Sequence, residues 1–238
     1  MKKAIIVGAT SGIGRGLAKL LIDNGYLVGI TGRRKDLLLE IKNECPEKYF
    51  IKSFDVTNTD IVAQQLQELV NELKGLDLLV ISSGTGEINK RLDFSIEKKT
   101  IDTNVLGFTA VADWTYNYFE NNKAGQLVAI SSIAGLRGNR RGPSYNASKS
   151  YQINYLEGLK QKAYKSKLPI IISDIRPGFV NTDMAKGSGM FWVASVEKAS
   201  MQIYKAIINK RKTAYITKRW LLIAVILKLV PDFLYKRM

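Results

Sequence analysis

The sequence predicts an α/β chain: a doubly wound parallel sheet between two layers of helices, three layers in one domain. Three observations predict it. Short apolar runs rich in β-branched residues alternate with longer amphipathic stretches along most of the chain. The first run enters a glycine-rich turn, Gly8-Ala9-Thr10-Ser11-Gly12-Ile13-Gly14, that opens a helical pattern. The 238 residues, 46% of them hydrophobic, suffice for one substantial core.

The elements follow in order. Residues 4–7 are an unbroken apolar run and form a first strand buried on both faces. Met1-Lys2-Lys3 ahead of them imitates the start of a signal peptide, but the run is too short and the glycines interrupt it at once. Residues 13–24 carry helical spacing, 27–30 a second strand, 35–44 a helix and 49–54 a third strand. Residues 59–73 are helical, 76–81 form a fourth strand, 98–121 a long helix and 127–130 a fifth strand. Residues 145–165 are helical, 170–175 form a sixth strand, and 213–217 add a last one.

Composition narrows the chemistry. The chain has no histidine, which removes Ser-His-Asp and Cys-His catalysis and histidine-based metal sites; no metal is expected. Its single cysteine, Cys45, cannot form an internal disulfide, which points to a reducing, cytoplasmic setting. The net charge of +15 is uneven: residues 198–238 hold ten basic residues against Asp232 alone. Such a tail suits an anionic surface, lipid or nucleic acid, and equally a solvated face with no partner. No nucleic-acid-binding motif accompanies it, so no nucleic-acid partner is expected.

Two regions carry chemistry. Gly8, Gly12 and Gly14 lie between a strand and a helix, where glycines allow a tight turn and the helix N-terminus favours phosphate. The spacing is G-x-x-x-G-x-G, without the Lys-Ser/Thr ending of a triphosphate loop. Thr10, Ser11 and Ile13 complete the turn. After the second strand comes Thr31-Gly32-Arg33-Arg34, with no carboxylate before Asp36. A guanidinium there suits a 2′-phosphate, so NADP is expected over NAD, with Arg33 as reader and Arg34 assisting. Asp55 and Val56 end the third strand where an adenine edge would lie; Asp55 also fits a cap with Thr57. In the second region, Tyr145 and Lys149 fall one helical turn apart on one face. An ammonium beside a phenol pulls its pKa down from about 10, as acid–base catalysis requires. The Ser132 hydroxyl completes the group by holding a substrate oxygen.

These motifs, in this order and including the thirteen-residue step from Ser132 to Tyr145, resemble the short-chain dehydrogenases/reductases. The matching segments are the Gly8–Gly14 turn, Asp55, Asn104 with Gly107, Ser131-Ser132, Tyr145-Asn146-Ala147-Ser148-Lys149, and Pro177-Gly178-Phe179-Val180-Asn181-Thr182. The resemblance implies a Rossmann-type fold and hydride transfer between nicotinamide and a carbonyl or alcohol. It implies that Tyr145 is the general acid/base and that Lys149 binds the nicotinamide ribose and lowers the Tyr145 pKa. It implies that Ser132 polarises the substrate oxygen and that Asn104 holds a water in a proton relay. Pro177, Gly178, Val180 and Thr182 would cover the nicotinamide end. A homo-oligomer is typical of this family. The chain departs from it at Ile81-Ser82-Ser83-Gly84, where Asn-Asn-Ala-Gly is usual; Ser83 and Gly84 then line the cofactor. Residues 1–217 would form the catalytic domain, with a cofactor half to about 125 and a substrate half from 126. Taken singly, each motif residue also fits an ordinary structural role. A cofactor-binding regulator that no longer turns over is the alternative.

Residues 184–196 lie where a substrate lid belongs. Gly187 and Gly189 permit movement, and Met190-Phe191-Trp192-Val193 suggest an apolar substrate or packing on the core. Residues 218–238 are the unusual part. Trp220 to Leu227 is apolar all round, too short for a span, and Pro231 disrupts it. Lys218, Arg219, Lys228, Lys236 and Arg237 flank it, with Trp220 and Tyr235 near its ends. That pattern favours a membrane surface; the alternative is a second subunit or closure of the substrate pocket.

Overall fold

The computed structural model describes residues 1–184 and 190–237. Seven strands form one parallel sheet in the order β3-β2-β1-β4-β5-β6-β7. They are β1 (Lys2–Val7), β2 (Tyr26–Gly32), β3 (Tyr49–Ser53), β4 (Leu78–Ile81), β5 (Gly125–Ile130), β6 (Ile170–Pro177) and β7 (Thr213–Ile216). The strand order reverses between β1 and β4, so a crevice opens beyond their carboxyl ends, where open α/β sheets bind ligands.

Alternation along the strands builds two cores. Ile5, Val7, Leu79, Ile81, Leu127 and Ala129 face one side, against α3 (Thr59–Leu73), α5 (Phe108–Asn121) and α6 (Pro143–Ser166). Ala4, Ile6, Val28, Ile30, Val80 and Val128 face the other, against α1 (Gly12–Asp23), α2 (Lys35–Glu44) and α7 (Val196–Ile208). Burial on both faces explains why these strands read as continuous apolar runs. Helices α2 and α3 have the bounds their spacing predicts.

The strand ends and the bounds of α1 shift by one or two residues from the sequence expectation, and three helical stretches differ from it as well. The stretch 98–121 is not one helix: α4 (Phe94–Ile101) passes through a π turn, Asp102–Gly107, into α5. The wide turn lets Asn104 reach inward, and Gly107 lies against the Val56 carbonyl. Helix α6 starts two residues early, with Pro143 in its first turn, where a missing N–H costs nothing. Helix α7 is absent from the expectations. Its signals are a Ser195 hydroxyl that accepts the Lys198 N–H at 3.2 Å and buried residues at Ala199, Ile203, Ala206 and Ile207.

After β7, α8 (Arg219–Leu229) and α9 (Asp232–Tyr235) pack back on the domain. Trp220, expected as an exposed flank, is 2% exposed, because its indole lies flat on Gly178 and leaves no room for a Cβ there. Tyr235 is half-buried, and its hydroxyl donates to the Gly138 carbonyl.

A buried ion pair fixes β6. Asp174, fully buried, binds the Arg176 guanidinium at 2.6 Å, accepts from Ser131 Oγ, and Arg176 also reaches Tyr215 Oη at 2.9 Å. Removing one partner strands the other charge away from water. Asp174→Ala is therefore expected to destabilise the fold by about 3–5 kcal/mol in urea denaturation. A loss below about 1 kcal/mol, the usual worth of an exposed pair, would contradict this burial.

Candidate active site

The glycine turn is shaped by its neighbours. Gly8 has φ +89°, and a Cβ there would lie 2.5 Å from the Ser83 amide nitrogen. The Gly8 and Ala9 N–H groups donate to the Thr31 carbonyl at 3.0 and 2.9 Å, tying the turn to β2. Ser11 caps α1 by position but its side chain accepts no hydrogen bond from the helix, so the first amides of α1 have no side-chain cap. Ile13 and Gly14 form the first turn of α1, with Gly14 buried. Thr182 stands against Gly12, closing the loop after β6 over the turn.

The two arginines divide. Arg34 lies on the turn: its guanidinium donates to Thr10 Oγ1 and, at 2.9 Å, to Ser11 Oγ. Arg33, the residue picked as principal phosphate reader, instead pairs with Asp55 at 3.4 Å, both partly exposed. Burial works to raise the Asp55 carboxyl, but the Thr57 amide and hydroxyl and the Arg33 guanidinium outweigh it and hold it below the usual carboxylate range. Asp55 thus accepts the Thr57 N–H ahead of α3, whose own cap position is Asn58. Val56 packs in the core beside it.

The Ser83 hydroxyl is buried next to Gly8 without a partner. Amides without a side-chain cap and a guanidinium on one turn, with the unpaired Ser83 hydroxyl beside it, fit an extended, anionic, hydrogen-bonding ligand such as a dinucleotide.

The second group converges from four elements. Ser132 lies two residues after β5 and heads the 3₁₀ turn Ile133–Leu136, where its Oγ accepts the Ala134 N–H at 3.1 Å. Tyr145 and Lys149 project from the first turns of α6. The Tyr145 ring covers Gly86, again leaving no room for a Cβ. Glu97 fixes the start of α6 by accepting the Ser144 N–H at 3.0 Å, a carboxylate at the positive end of the helix. Asn146 donates to the Ala134 and Arg137 carbonyls, both at 2.8 Å, and so pins the Ser132 turn to α6. Gly84 lies between Asn104 and Lys149.

Asn104 is fully buried. Its amide exchanges two hydrogen bonds with the Thr85 backbone, at 2.9 and 2.7 Å, and donates to Ser148 Oγ at 3.0 Å. Its backbone carbonyl accepts from Gln152 Nε2 at 2.9 Å, and Gln152 Oε1 accepts from the Lys149 ammonium at 2.9 Å. Lys149 also donates to the Ile130 carbonyl at 3.0 Å. The sequence reading misses Gln152. A signal exists: a polar residue three after Lys149 falls on the same helix face as Tyr145, Lys149 and buried Leu156.

Electrostatics differ from expectation at Tyr145. Burial pushes the phenol up, with the Ser132 hydroxyl working the other way, and no lowering by Lys149 is present. The ammonium lies 5.9 Å from the ring centroid and spends its hydrogen bonds on Ile130 and Gln152. Burial lowers Lys149 itself to about 8, against the attraction of Asp174.

Pro177 ends β6, Gly178 donates to the Ile216 carbonyl at 2.7 Å, and buried Val180 bridges to Ala194. Gly187 and Gly189 lie outside the described residues. Phe191 and Trp192 pack on Trp220, with ring centroids 5.1 and 6.0 Å away, and Phe179 joins at 5.3 Å. Both lid aromatics stay nearly half exposed, so neither packing nor exposure alone describes them.

Residues 2–190 match the family model of short chain dehydrogenases. An uncharacterized oxidoreductase of Myxococcus xanthus is 33% identical over 188 residues, 77% of this chain and 74% of that one. The 3-oxoacyl-[acyl-carrier-protein] reductase of Chlamydia muridarum is 31% identical over 192 residues, 78% and 77% of the two chains. Among solved structures, serine dehydrogenase in complex with NADP+ superposes with a TM-score of 0.82 at 23% identity, covering 90% of this chain and 94% of that one.

Lys149 titrates near 8 in the folded chain and near 10.5 in its ordinary state. Between those values the unfolded chain binds the extra proton, so stability rises with pH above about 8. Denaturation from about pH 7.5 to about pH 10 should show this rise in the wild type and lose it in Lys149→Met. Gln152→Leu, which removes an acceptor from the ammonium, should move the rise to lower pH. Equal slopes in all three chains would contradict the assignment.

Proposed function

The chain belongs to the short-chain dehydrogenase/reductase family, and from that premise we propose that it transfers hydride between NADPH and a carbonyl or alcohol group of an apolar, lipid-like substrate. The observation that carries this reading is the meeting of Ser132, Tyr145 and buried Lys149 beside the phosphate-suited turn of β1. Apolar Phe191 and Trp192 at the lid support an apolar substrate. So does the relative in Chlamydia muridarum, whose name is that of a 3-oxoacyl reductase.

NADPH, when bound, supplies the hydride. The amide end of α1 would hold its pyrophosphate, Arg34 and Arg33 its 2′-phosphate, and Asp55 with Val56 its adenine edge. Ser83 and Gly84 would line its path, Lys149 would hold the nicotinamide ribose, and Pro177 to Thr182 would cover the nicotinamide end. The absence of a carboxylate between β2 and Asp36, with two guanidiniums there instead, supports NADP over NAD.

In the reductive direction the Ser132 and Tyr145 hydroxyls both donate to the carbonyl oxygen. Tyr145 gives up its proton as charge develops there. Burial leaves its proton in place at neutral pH, and the developing alkoxide, a stronger base than a phenolate, takes it. Lys149, near 8, can hand a proton onward at little cost. The Asn104–Gln152 pair holds the ammonium in register. The homo-oligomer typical of the family is carried over with this reading and is checked by light scattering.

The test is oxidation of NADPH, with NADH in parallel, against ketones of increasing chain length. Tyr145→Phe should lower kcat at least about 100-fold, the lower end of what a positioned acid contributes, with NADPH affinity unchanged. Arg33→Ala with Arg34→Ala should cut the NADPH-over-NADH preference at least about tenfold, the loss of one charge-assisted phosphate contact. Turnover that survives Tyr145→Phe would overturn the acid/base role. NADPH binding without turnover of any ketone would favour a non-catalytic regulator.

A further inference from the structure

Helix α8 is apolar on every side, yet only one side meets the domain. Trp220 and Ala224 are buried, and Ile223 and Leu227 half-buried, against the 3₁₀ turn and β7. Leu221, Leu222, Val225, Ile226 and Leu229 face outward, with Leu222 60% and Leu229 74% exposed. Phe233 on α9 and the lid residues Phe191 and Trp192 are exposed as well, the lid pair packed on Trp220. An apolar patch of this kind marks an interaction surface.

The rim of the patch is cationic. Lys218 and Arg219 stand at the start of α8, Lys228 near its end, and Lys236 and Arg237 after α9. Among the described residues none of these five has a carboxylate within 4.0 Å. Asp232, the one acid in residues 198–238, is taken by Arg137 at 2.9 Å. Arg137 also lies 4.4 Å over the Tyr235 ring, which clamps α9 to the loop after the Ser132 turn. The next residues of that loop, Arg140 and Arg141, line a cavity of about 330 Å³ with Lys90, all three again without carboxylate partners among the described residues. Arg141 is four residues before Tyr145, so this cationic surface borders the catalytic cleft.

We infer that the outward face of α8 and α9, together with Phe191 and Trp192, docks on an anionic lipid bilayer and holds the mouth of the catalytic cleft against it. Charge decides the occupant. A second copy of the chain would bring one basic rim against another, whereas anionic headgroups neutralise it and the bilayer interior accepts the leucines. No described helix is long and apolar enough to cross a membrane, so the contact is interfacial. Trp220 couples the docked face to the cofactor-covering loop through Gly178 and Phe179. That the bilayer also supplies the substrate rests on the reductase reading; the docking does not.

The test is co-sedimentation of the full chain with vesicles of phosphatidylcholine alone and of phosphatidylcholine with phosphatidylglycerol. The expected result is at least about tenfold stronger partitioning to the anionic vesicles, falling with salt, since each rim cation adds its share. Leu222→Glu with Leu229→Glu should abolish it, while oxidation of NADPH by a water-soluble ketone without vesicles is unchanged. Lys228→Gln with Lys236→Gln should weaken it without unfolding anything. A wild type that stays in the supernatant, or a double glutamate variant that still pellets, would overturn the inference. A wild-type oligomer that the double glutamate variant breaks, without vesicle binding, would assign the face to a second subunit and overturn it too. Failure of the soluble-ketone assay alone would count against the reductase reading and leave the docking result standing.

Discussion

The Lys149 ammonium, 4% exposed, is held by the Ile130 carbonyl and the Gln152 amide, and the surrounding chain is arranged so that this charge is tolerated. A buried cation without hydrogen bonds would cost several kcal/mol, so its acceptors must be fixed before it can sit there. Gln152 is fixed by the Asn104 carbonyl, Asn104 by the Thr85 backbone and Ser148, and the π turn exists to put Asn104 within reach. Asp174, held on β6 by Arg176, adds a longer-range attraction. The chain of dependence runs from sheet to helix and back, which is why the site stands at the sheet's carboxyl edge.

The same edge joins the two halves of the site. Ser83, next to Gly8, precedes Gly84 beside Lys149, so one short segment after β4 links the glycine turn to α6. On the other side the loop after β6 leans on Gly12 through Thr182 and on Trp220 through Gly178. The C-terminal helices therefore touch the loop beside the site. Aromatic contacts of 5.1 to 6.0 Å join α8 to the loop that would cover a cofactor.

Much of this was legible in the residues. Helices α2 and α3 follow their apolar spacing because nothing tertiary overrides it. The glycine turn and the Ser132, Tyr145 and Lys149 spacing announced where chemistry would gather. What the sequence hides depends on direction and solvation. The sequence favours Arg33 as the reader and Arg34 as its helper, and only the path of the chain out of β2 puts Arg34 on the turn and Arg33 on Asp55. The Tyr145 pKa looks lowered from its neighbour, but burial acts on both groups and wins. A helix apolar all round, such as α8, gives no sign of which side it buries, so Trp220 looks like an anchor and is core. Gln152 and α7 were legible and needed only the helix-face and capping rules applied one step further.

The most direct test of hydride transfer through this site uses NADPH deuterated at the reactive nicotinamide carbon, with a long-chain ketone. Mass spectrometry of the isolated product reads the outcome. Deuterium on the carbinol carbon, retained from a cofactor carrying deuterium at both C4 positions, is the result expected if hydride comes from the cofactor. Alcohol formed without deuterium, or NADPH consumed with no labelled product, would contradict it.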